Sequence, residues 1–329
     1  MLGSRRRAEL KAVPRAARTR CAASIAPSAE RVLQRIEWTV LRRLDGLLHG
    51  NYRTLFRGFG IDLADLREYQ ISDDARTIDW NATARLQQPY VRQFNEERDV
   101  TAWFLVDLSG SIDFGGQSTK RARALEFVAL LARLLTRHGN RVGAVLYTDR
   151  VEVVLPARGG RLHVLHLIDR MLKSAPSKTG KLTRLGELLQ RALRSVKRRS
   201  VVFVVSDFIS CPGWSRELLL LGQRHEVIAV RLYDPLEMVL PDLGQVVVED
   251  SETGQQLFVD THDAAFRKRF ARRAAEREAA LRAALADAGA DCLELSTTDD
   301  LVDTLLNFTR LRKRRAQLAS GAAPQGVGP

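Results

Sequence analysis

The sequence predicts an α/β protein: a doubly wound, mostly parallel sheet with helices on both faces, of von Willebrand A-like or Rossmann-like type, plus an N-terminal appendage. Three observations predict it. Short runs rich in β-branched and aromatic residues recur along the chain, at Thr101–Val106, Arg141–Thr148, Ser200–Ser206, Glu226–Leu232 and Cys292–Leu295. Each lacks the apolar–polar alternation of a half-exposed strand, so each reads as a strand buried on both faces. Stretches with apolar residues at helical spacing separate them, which is the pattern of βαβ units. Polar residues then gather just past the strand ends, at Asp107-Leu108-Ser109-Gly110-Ser111 and at Ser206-Asp207.

In chain order, residues 31–57 place Val32, Leu33, Ile36, Val40, Leu41, Leu44, Leu47 and Leu48 on one side of an amphipathic helix, which Gly58 and Gly60 break. Residues 61–100 are dense in charge and hold too little apolar material for a core of their own. Within them, Tyr90–Phe94 alternates like an edge strand. Lys120–His138 is a strong helix ended by Gly139-Asn140, and Val151–Leu155 is a strand after a short turn. His163–Leu172 is a short helix, Ser174–Lys181 a polar loop, and Thr183–Val196 a helix begun by Thr183. Trp214–Gly222 is helical, and Gln245–Glu249 with Gln256–Val259 flanks Asp250–Gly254 as a hairpin. His262–Ala288 and Asp299–Arg315 complete the helices. The expected divisions are a disordered basic tail over 1–30, an appendage packed on the sheet over 31–100, the α/β domain over 101–315, and a Gly/Ala/Pro-rich tail over 316–329.

The formal net charge of +13 at first suggests nucleic acid. Residues 1–60, however, carry 13 Lys/Arg against 4 Asp/Glu, and residues 310–329 carry 5 Lys/Arg and no acids. The body of the chain is therefore near neutral, which weighs against a folded nucleic-acid reader. Three scattered cysteines, Cys21, Cys211 and Cys292, offer no disulfide framework or CxxC pair. They favour a reducing, cytoplasmic setting, with Cys211 and Cys292 as buried small hydrophobes. The first thirty residues lack a secretory apolar segment, and no run approaches the length of a transmembrane helix.

In a parallel sheet, Asp107, Ser109 and Ser111 after one strand and Asp207 after another converge at the carboxyl edge, where open α/β sheets bind ligands. Thr183, after Gly180-Lys181-Leu182, reaches the same place. Two carboxylates and three hydroxyls, completed by water, suit Mg²⁺, or Mn²⁺ in its stead. A strand-to-helix turn with local hydrogen bonds accounts equally for the first three residues taken alone.

These positions resemble the metal-ion-dependent adhesion site of von Willebrand factor A domains. A second resemblance is more specific. The block Leu66-Arg67-Glu68-Tyr69-Gln70, Asp73-Asp74-Ala75-Arg76-Thr77-Ile78-Asp79-Trp80-Asn81-Ala82-Thr83-Ala84-Arg85, and Phe94-x-Glu96-Glu97-Arg98-Asp99, leading into the Asp107 strand, resembles the bacterial family called domain of unknown function 58. Val205-Ser206-Asp207-Phe208 fits it too. The resemblance covers roughly residues 60–235. It implies a von Willebrand A-like domain that works with a MoxR-type AAA+ ATPase on an unidentified client protein. A carboxylate from that partner would complete the coordination of the metal. Arg67, Glu68, Tyr69, Asp73, Asp74, Arg76, Asp79, Trp80 and Arg85 are then a candidate partner surface, although interleaved Arg and Asp also suit a structural ion-pair network and Trp80 suits packing on the sheet.

Other features read more plainly. His163 and His166 lie three apart on a helix without a third ligand in view, and read as surface or partly packed side chains. Gly180-Lys181-Leu182-Thr183 fails as a phosphate-binding loop, because residue 175 is Ala and residue 182 is Leu. The helix around Phe266–Arg282 sets Arg267, Lys268, Arg269, Arg272 and Arg273 against Glu276 and Glu278, as a solvated face does. The sequence thus favours a non-enzymatic, metal-dependent adaptor. A metal-dependent hydrolase using the same residues is one alternative, and a nucleic-acid-associated protein acting through its basic tails is another.

Overall fold

A six-stranded sheet occupies the centre of the computed structural model, which describes residues 28–37, 65–69, 83, 88–93, 101–116, 118–174, 182–249 and 255–319. In chain order the elements are α1 (Ala29–Ile36), β1 (Asp65–Glu68), β2 (Tyr90–Gln93), β3 (Thr101–Asp107), α2 (Lys120–Arg137), β4 (Arg141–Tyr147), β5 (Val151–Arg158), α3 (Arg161–Lys173) and α4 (Leu185–Ser195). There follow β6 (Val201–Ser206), α5 (Trp214–Arg224), β7 (Glu226–Tyr233), β8 (Gln245–Glu249), β9 (Gln256–Asp260), α6 (Ala264–Asp287), β10 (Asp291–Ser296) and α7 (Leu301–Ala319). The sheet order is β10-β7-β6-β3-β4-β5. Every pairing is parallel except that of the edge strand β5, which returns antiparallel along β4.

Successive residues of β3 and β6 point to opposite faces and both faces are covered, which explains the unbroken apolar runs. On one side Ala102, Phe104, Val106, Val201, Phe203 and Val205 pack with residues of α1, α2, α3 and α7. Phe104 stacks on Phe203 at 5.1 Å between ring centroids, and Phe127 of α2 meets both rings edge-on. On the other side Trp103, Leu105, Val202 and Val204 pack with α4, α5 and α6. Trp103 lies over its register partner Gly143 so closely that a Cβ there would stand 2.8 Å from the indole. Glycine is the residue that admits the ring.

The topology creates the site. From β3 the chain crosses through α2 to β4 on one side, whereas β6, entered from α3 and α4, lies on the other. The crossovers diverge and leave a crevice between the carboxyl ends of β3 and β6, the switch point of a doubly wound sheet.

Several expectations change. The helix expected from Thr183 begins at Leu185, so Thr183 lies ahead of it and is not its cap. β1 was not legible as a strand. It pairs with β2 in a separate two-stranded sheet that places Arg67 opposite Val91 and Glu68 opposite Tyr90, while the amide of Tyr69 donates to Pro89 O at 2.8 Å. Cys211 and Cys292 are half-buried rather than buried. Glu278 is 6% exposed, not part of a solvated helix face. α7 continues to Ala319, past the expected end at Arg315. Asp73, Asp74, Arg76, Asp79, Trp80, Arg85, the residues before Ser28, the helix expected beyond Glu37 and the C-terminal tail beyond Ala319 lie outside the described residues.

Candidate functional site

Asp107 ends β3 and Asp207 follows β6, on adjacent parallel strands at the crevice. Asp107 is fully buried: Oδ1 accepts the Ser109 amide at 3.0 Å and Oδ2 accepts the Ser206 hydroxyl at 2.7 Å. Burial, with the charge of Asp207 nearby, pushes its carboxyl up from 3.8 to about 6, against the lowering effect of those donors. The chain then turns through a 3₁₀ segment, Gly110–Asp113, which sets the buried hydroxyls of Ser109 and Ser111 3.2 Å apart.

Asp207 is equally enclosed, but its partner is a cation. Its Oδ1 accepts the Ile209 amide at 3.0 Å, and its Oδ2 accepts from Lys120 Nζ at 2.7 Å. The Lys120 ammonium, 0% exposed, also donates to Glu237 Oε1 at 2.6 Å. Burial works against that charge, yet the attraction of Asp207 and Glu237 outweighs it and holds the pKa of Lys120 above its ordinary value. Glu237 belongs to the turn Pro235–Glu237, and its Oε2 accepts the Asp234 amide at 3.1 Å. Each of the six oxygens on these three carboxylates therefore accepts a hydrogen bond. In charge, three carboxylates face one ammonium.

The structure places Asp107 beside Asp207, with Ser109 and Ser111 in the turn that follows Asp107. Thr183 is buried beside the loop that follows Asp207: its carbonyl accepts from the Cys211 amide at 2.9 Å and from the Ser210 hydroxyl at 3.0 Å. Ser210 Oγ also accepts the Leu185 amide at 2.9 Å, capping α4 from 25 residues away. The Tyr147 hydroxyl accepts the preceding amide, that of Arg184, at 3.0 Å. Phe208 reaches φ +58° directly after Asp207, a left-handed conformation rare for an aromatic residue, while its amide bonds Ser206 Oγ at 2.9 Å.

Lys120 and Glu237 were not singled out from the sequence, and Ser206 was read only as the end of its strand and not as a partner of Asp107. One signal for Lys120 was present: a lysine at the first position of a helix opposes the helix dipole, so its charge must be answered elsewhere. His163 bonds Val142 O at 2.7 Å through Nε2 and His166 is exposed, in keeping with a packing role. Among the described residues no three His, Cys, Asp or Glu side chains converge as a metal cluster, and no helix is long and apolar enough to cross a membrane.

The family model described as a protein of unknown function, DUF58, matches residues 65–280. The chain belongs to the DUF58 family. The match passes the end of β7 to take in the β8–β9 hairpin and most of α6. Uncharacterised proteins of Mycobacterium tuberculosis and Mycobacterium bovis are each 35% identical to this DUF58 member over 294 residues, spanning 88% of this chain and 92% of theirs. Among solved structures, the conserved hypothetical protein BatB from Bacteroides thetaiotaomicron is 14% identical, over 67% of this chain and 99% of that one, with a TM-score of 0.41. An aerotolerance-related membrane protein from Bacteroides fragilis, carrying multiple mutations to serines, is 14% identical over 65% and 99%, with a TM-score of 0.42.

Proposed function

We propose that this protein is a non-enzymatic, metal-dependent adaptor of von Willebrand factor A type. It recognises an acidic residue of a partner at the β3/β6 crevice, working with a MoxR-type AAA+ ATPase on a client protein. The observation that carries the reading is the charge at the crevice. The Lys120 ammonium meets the buried Asp207 and the half-buried Glu237, while the fully buried Asp107 carboxyl beside them is pushed up to about 6.

The donors fit a hard divalent cation. Asp107, Ser109, Ser111, Thr183 and Asp207 would hold Mg²⁺ or Mn²⁺, hydroxyls and water supplying what two carboxylates do not. Once bound, the ion supplies a Lewis-acidic position open to a partner's carboxylate. The protein's own groups do the rest. Ser206 orients Asp107, Lys120 fixes Asp207 and Glu237, and Ser210 pins the Thr183 segment against the loop after β6. Lys120 stays protonated under this arrangement and is an electrostatic anchor rather than a base. The β8–β9 hairpin, which follows β7 in the chain, leaves Leu257 and Phe258 each 65% exposed and offers a partner apolar contact.

The test is capture of a MoxR-type ATPase by the immobilised full chain. Capture in Mg²⁺ that chelator reverses, and that Asp107→Ala abolishes with the fold intact, is expected. Equal capture by Asp107→Ala would contradict the reading.

A further inference from the structure

Carboxylates gather at the carboxyl edge of the sheet, and basic residues gather at its amino edge. The loop Lys197-Arg198-Arg199 leads into β6 with all three residues exposed. It borders the start of β7, where the Glu226 amide donates to Ser200 O at 3.0 Å. Arg224, at the end of α5, is exposed just ahead of that strand. α7 runs to the same edge, because Arg312 bonds Glu226 and Asp291, the first residues of β7 and β10. Around that anchor Arg310, Arg314 and Arg315 are exposed.

This charge exceeds what the fold needs. Along the starts of β6, β7 and β10 the described side chains comprise eight Lys/Arg against three acids, Glu226, Asp287 and Asp291. Helix C-termini attract cations, but each carries only about half a negative charge, so the ends of α4, α5 and α7 answer about 1.5 of the excess. Residues 96–99, which precede β3 with a net charge of −2, lie outside the described residues and leave the balance positive. The start of α1 adds to it. Arg161 follows the end of β5, which lies beside the start of β4, and bonds Glu30 at the head of α1. Residues 1–27 carry 7 Lys/Arg against 1 Asp/Glu and join the fold there, at Ser28.

A basic edge rich in arginine fits a surface of phosphates, whose oxygens match the guanidinium fork. Leu311, 56% exposed between Arg310 and Arg314, distinguishes one such surface from another. It gains by entering the acyl boundary of a bilayer and gains nothing from a nucleic-acid backbone. No exposed Phe, Tyr or Trp stands among the described residues of this edge to stack on a base. We propose that the amino edge of the sheet binds an anionic phospholipid surface, with the Lys197–Arg199 loop and the end of α7 on the headgroups. The β3/β6 crevice then faces away from the bilayer, and the proposal does not rest on metal binding there.

The test is co-sedimentation of the full chain with sucrose-loaded vesicles, in buffer with chelator and about 0.1 M salt. Vesicles of phosphatidylcholine with about 30% phosphatidylglycerol should pellet it, and phosphatidylcholine alone should not. Each basic residue at an anionic surface contributes about fivefold in partition, so the variant Lys197→Ala, Arg198→Ala, Arg199→Ala should bind about a hundredfold more weakly. Lys268→Ala, Arg272→Ala, Arg273→Ala removes the same charge from exposed positions of α6. These stand about 20 Å along the helix from its end, beyond the screening length, and that variant should bind within about threefold of the parent. Leu311→Ser should weaken vesicle binding about tenfold. A duplex DNA of about 20 base pairs is titrated in parallel at equal phosphate concentration, and should bind more weakly than the anionic vesicles. Failure to pellet with anionic vesicles would overturn the proposal. So would a loop variant that binds like the parent, which would assign binding to residues 1–27, or a Leu311→Ser variant that does. Tighter binding to the duplex, lost in the loop variant, would assign the edge to nucleic acid and overturn it as well.

Discussion

Two buried charge clusters lie side by side on this sheet, and they are deficient in opposite ways. At the ends of β3 and β6, joined by Glu237 from the turn after β7, every carboxylate oxygen of Asp107, Asp207 and Glu237 accepts a hydrogen bond, yet the ammonium of Lys120 bonds Asp207 and Glu237 and not Asp107. Between β7 and α6, Arg231 and Glu278 balance in charge, yet each keeps a polar atom without a hydrogen bond. The first cluster is short of charge and the second is short of hydrogen bonds.

The largest way to break this contrast is Lys120→Met. Removing one side of a buried ion pair leaves uncompensated charge, and a loss of about 3–5 kcal/mol in denaturant unfolding is expected. Because the variant is still shorter of positive charge, Mg²⁺ should restore part of its stability by binding the folded state. A loss that Mg²⁺ leaves unchanged would contradict the charge argument. In the second cluster, Glu278→Leu should cost about 3 kcal/mol by stranding Arg231, whereas Arg231→Met with Glu278→Leu should be close to neutral. A double variant as unstable as the single one would show that the pair holds the fold by more than its charges.

Smaller changes sharpen the comparison. Ser206→Ala removes the hydroxyl that Asp107 Oδ2 and the Phe208 amide share, and a loss of about 1–3 kcal/mol is expected from the groups left unpaired. His225 supplies a reference outside both clusters, with both ring nitrogens buried and without partners. Burial first, and then Arg224, lowers its pKa below the ordinary 6.5. The folded state therefore favours neutral imidazole. Its stabilising share is complete above 6.5 and is lost as the pH falls through the lower folded value. His225→Phe should leave stability at neutral pH within about 1 kcal/mol of the parent and flatten the decline in acid. An unchanged acid profile would assign that decline to other groups.

The strands of the core were legible because β3 and β6 are buried on both faces and so carry continuous apolar runs. Asp107, Ser109, Ser111 and Asp207 were legible for a related reason: polarity begins abruptly where those runs end. The rest of the crevice was hidden by distance along the chain. Lys120 meets Asp207 from 87 residues away and Glu237 from 117, and Ser206 meets Asp107 from 99. No local pattern records such pairs. The start of α4 was misplaced at Thr183 because its cap, Ser210, comes from elsewhere in the chain. Glu278 sits among arginines on α6 and reads as surface until β7 presents Arg231 to it. β1, with the sequence Asp-Leu-Arg-Glu, has almost no apolar content to announce a strand.

The measurement that tests the central claim most directly is a calorimetric Mg²⁺ titration of the full chain beside the Asp107→Ala, Ser109→Ala double variant. A crevice short of positive charge predicts saturable binding in the parent and none in the folded variant. Equal heats from both proteins, or none from the parent, would contradict it.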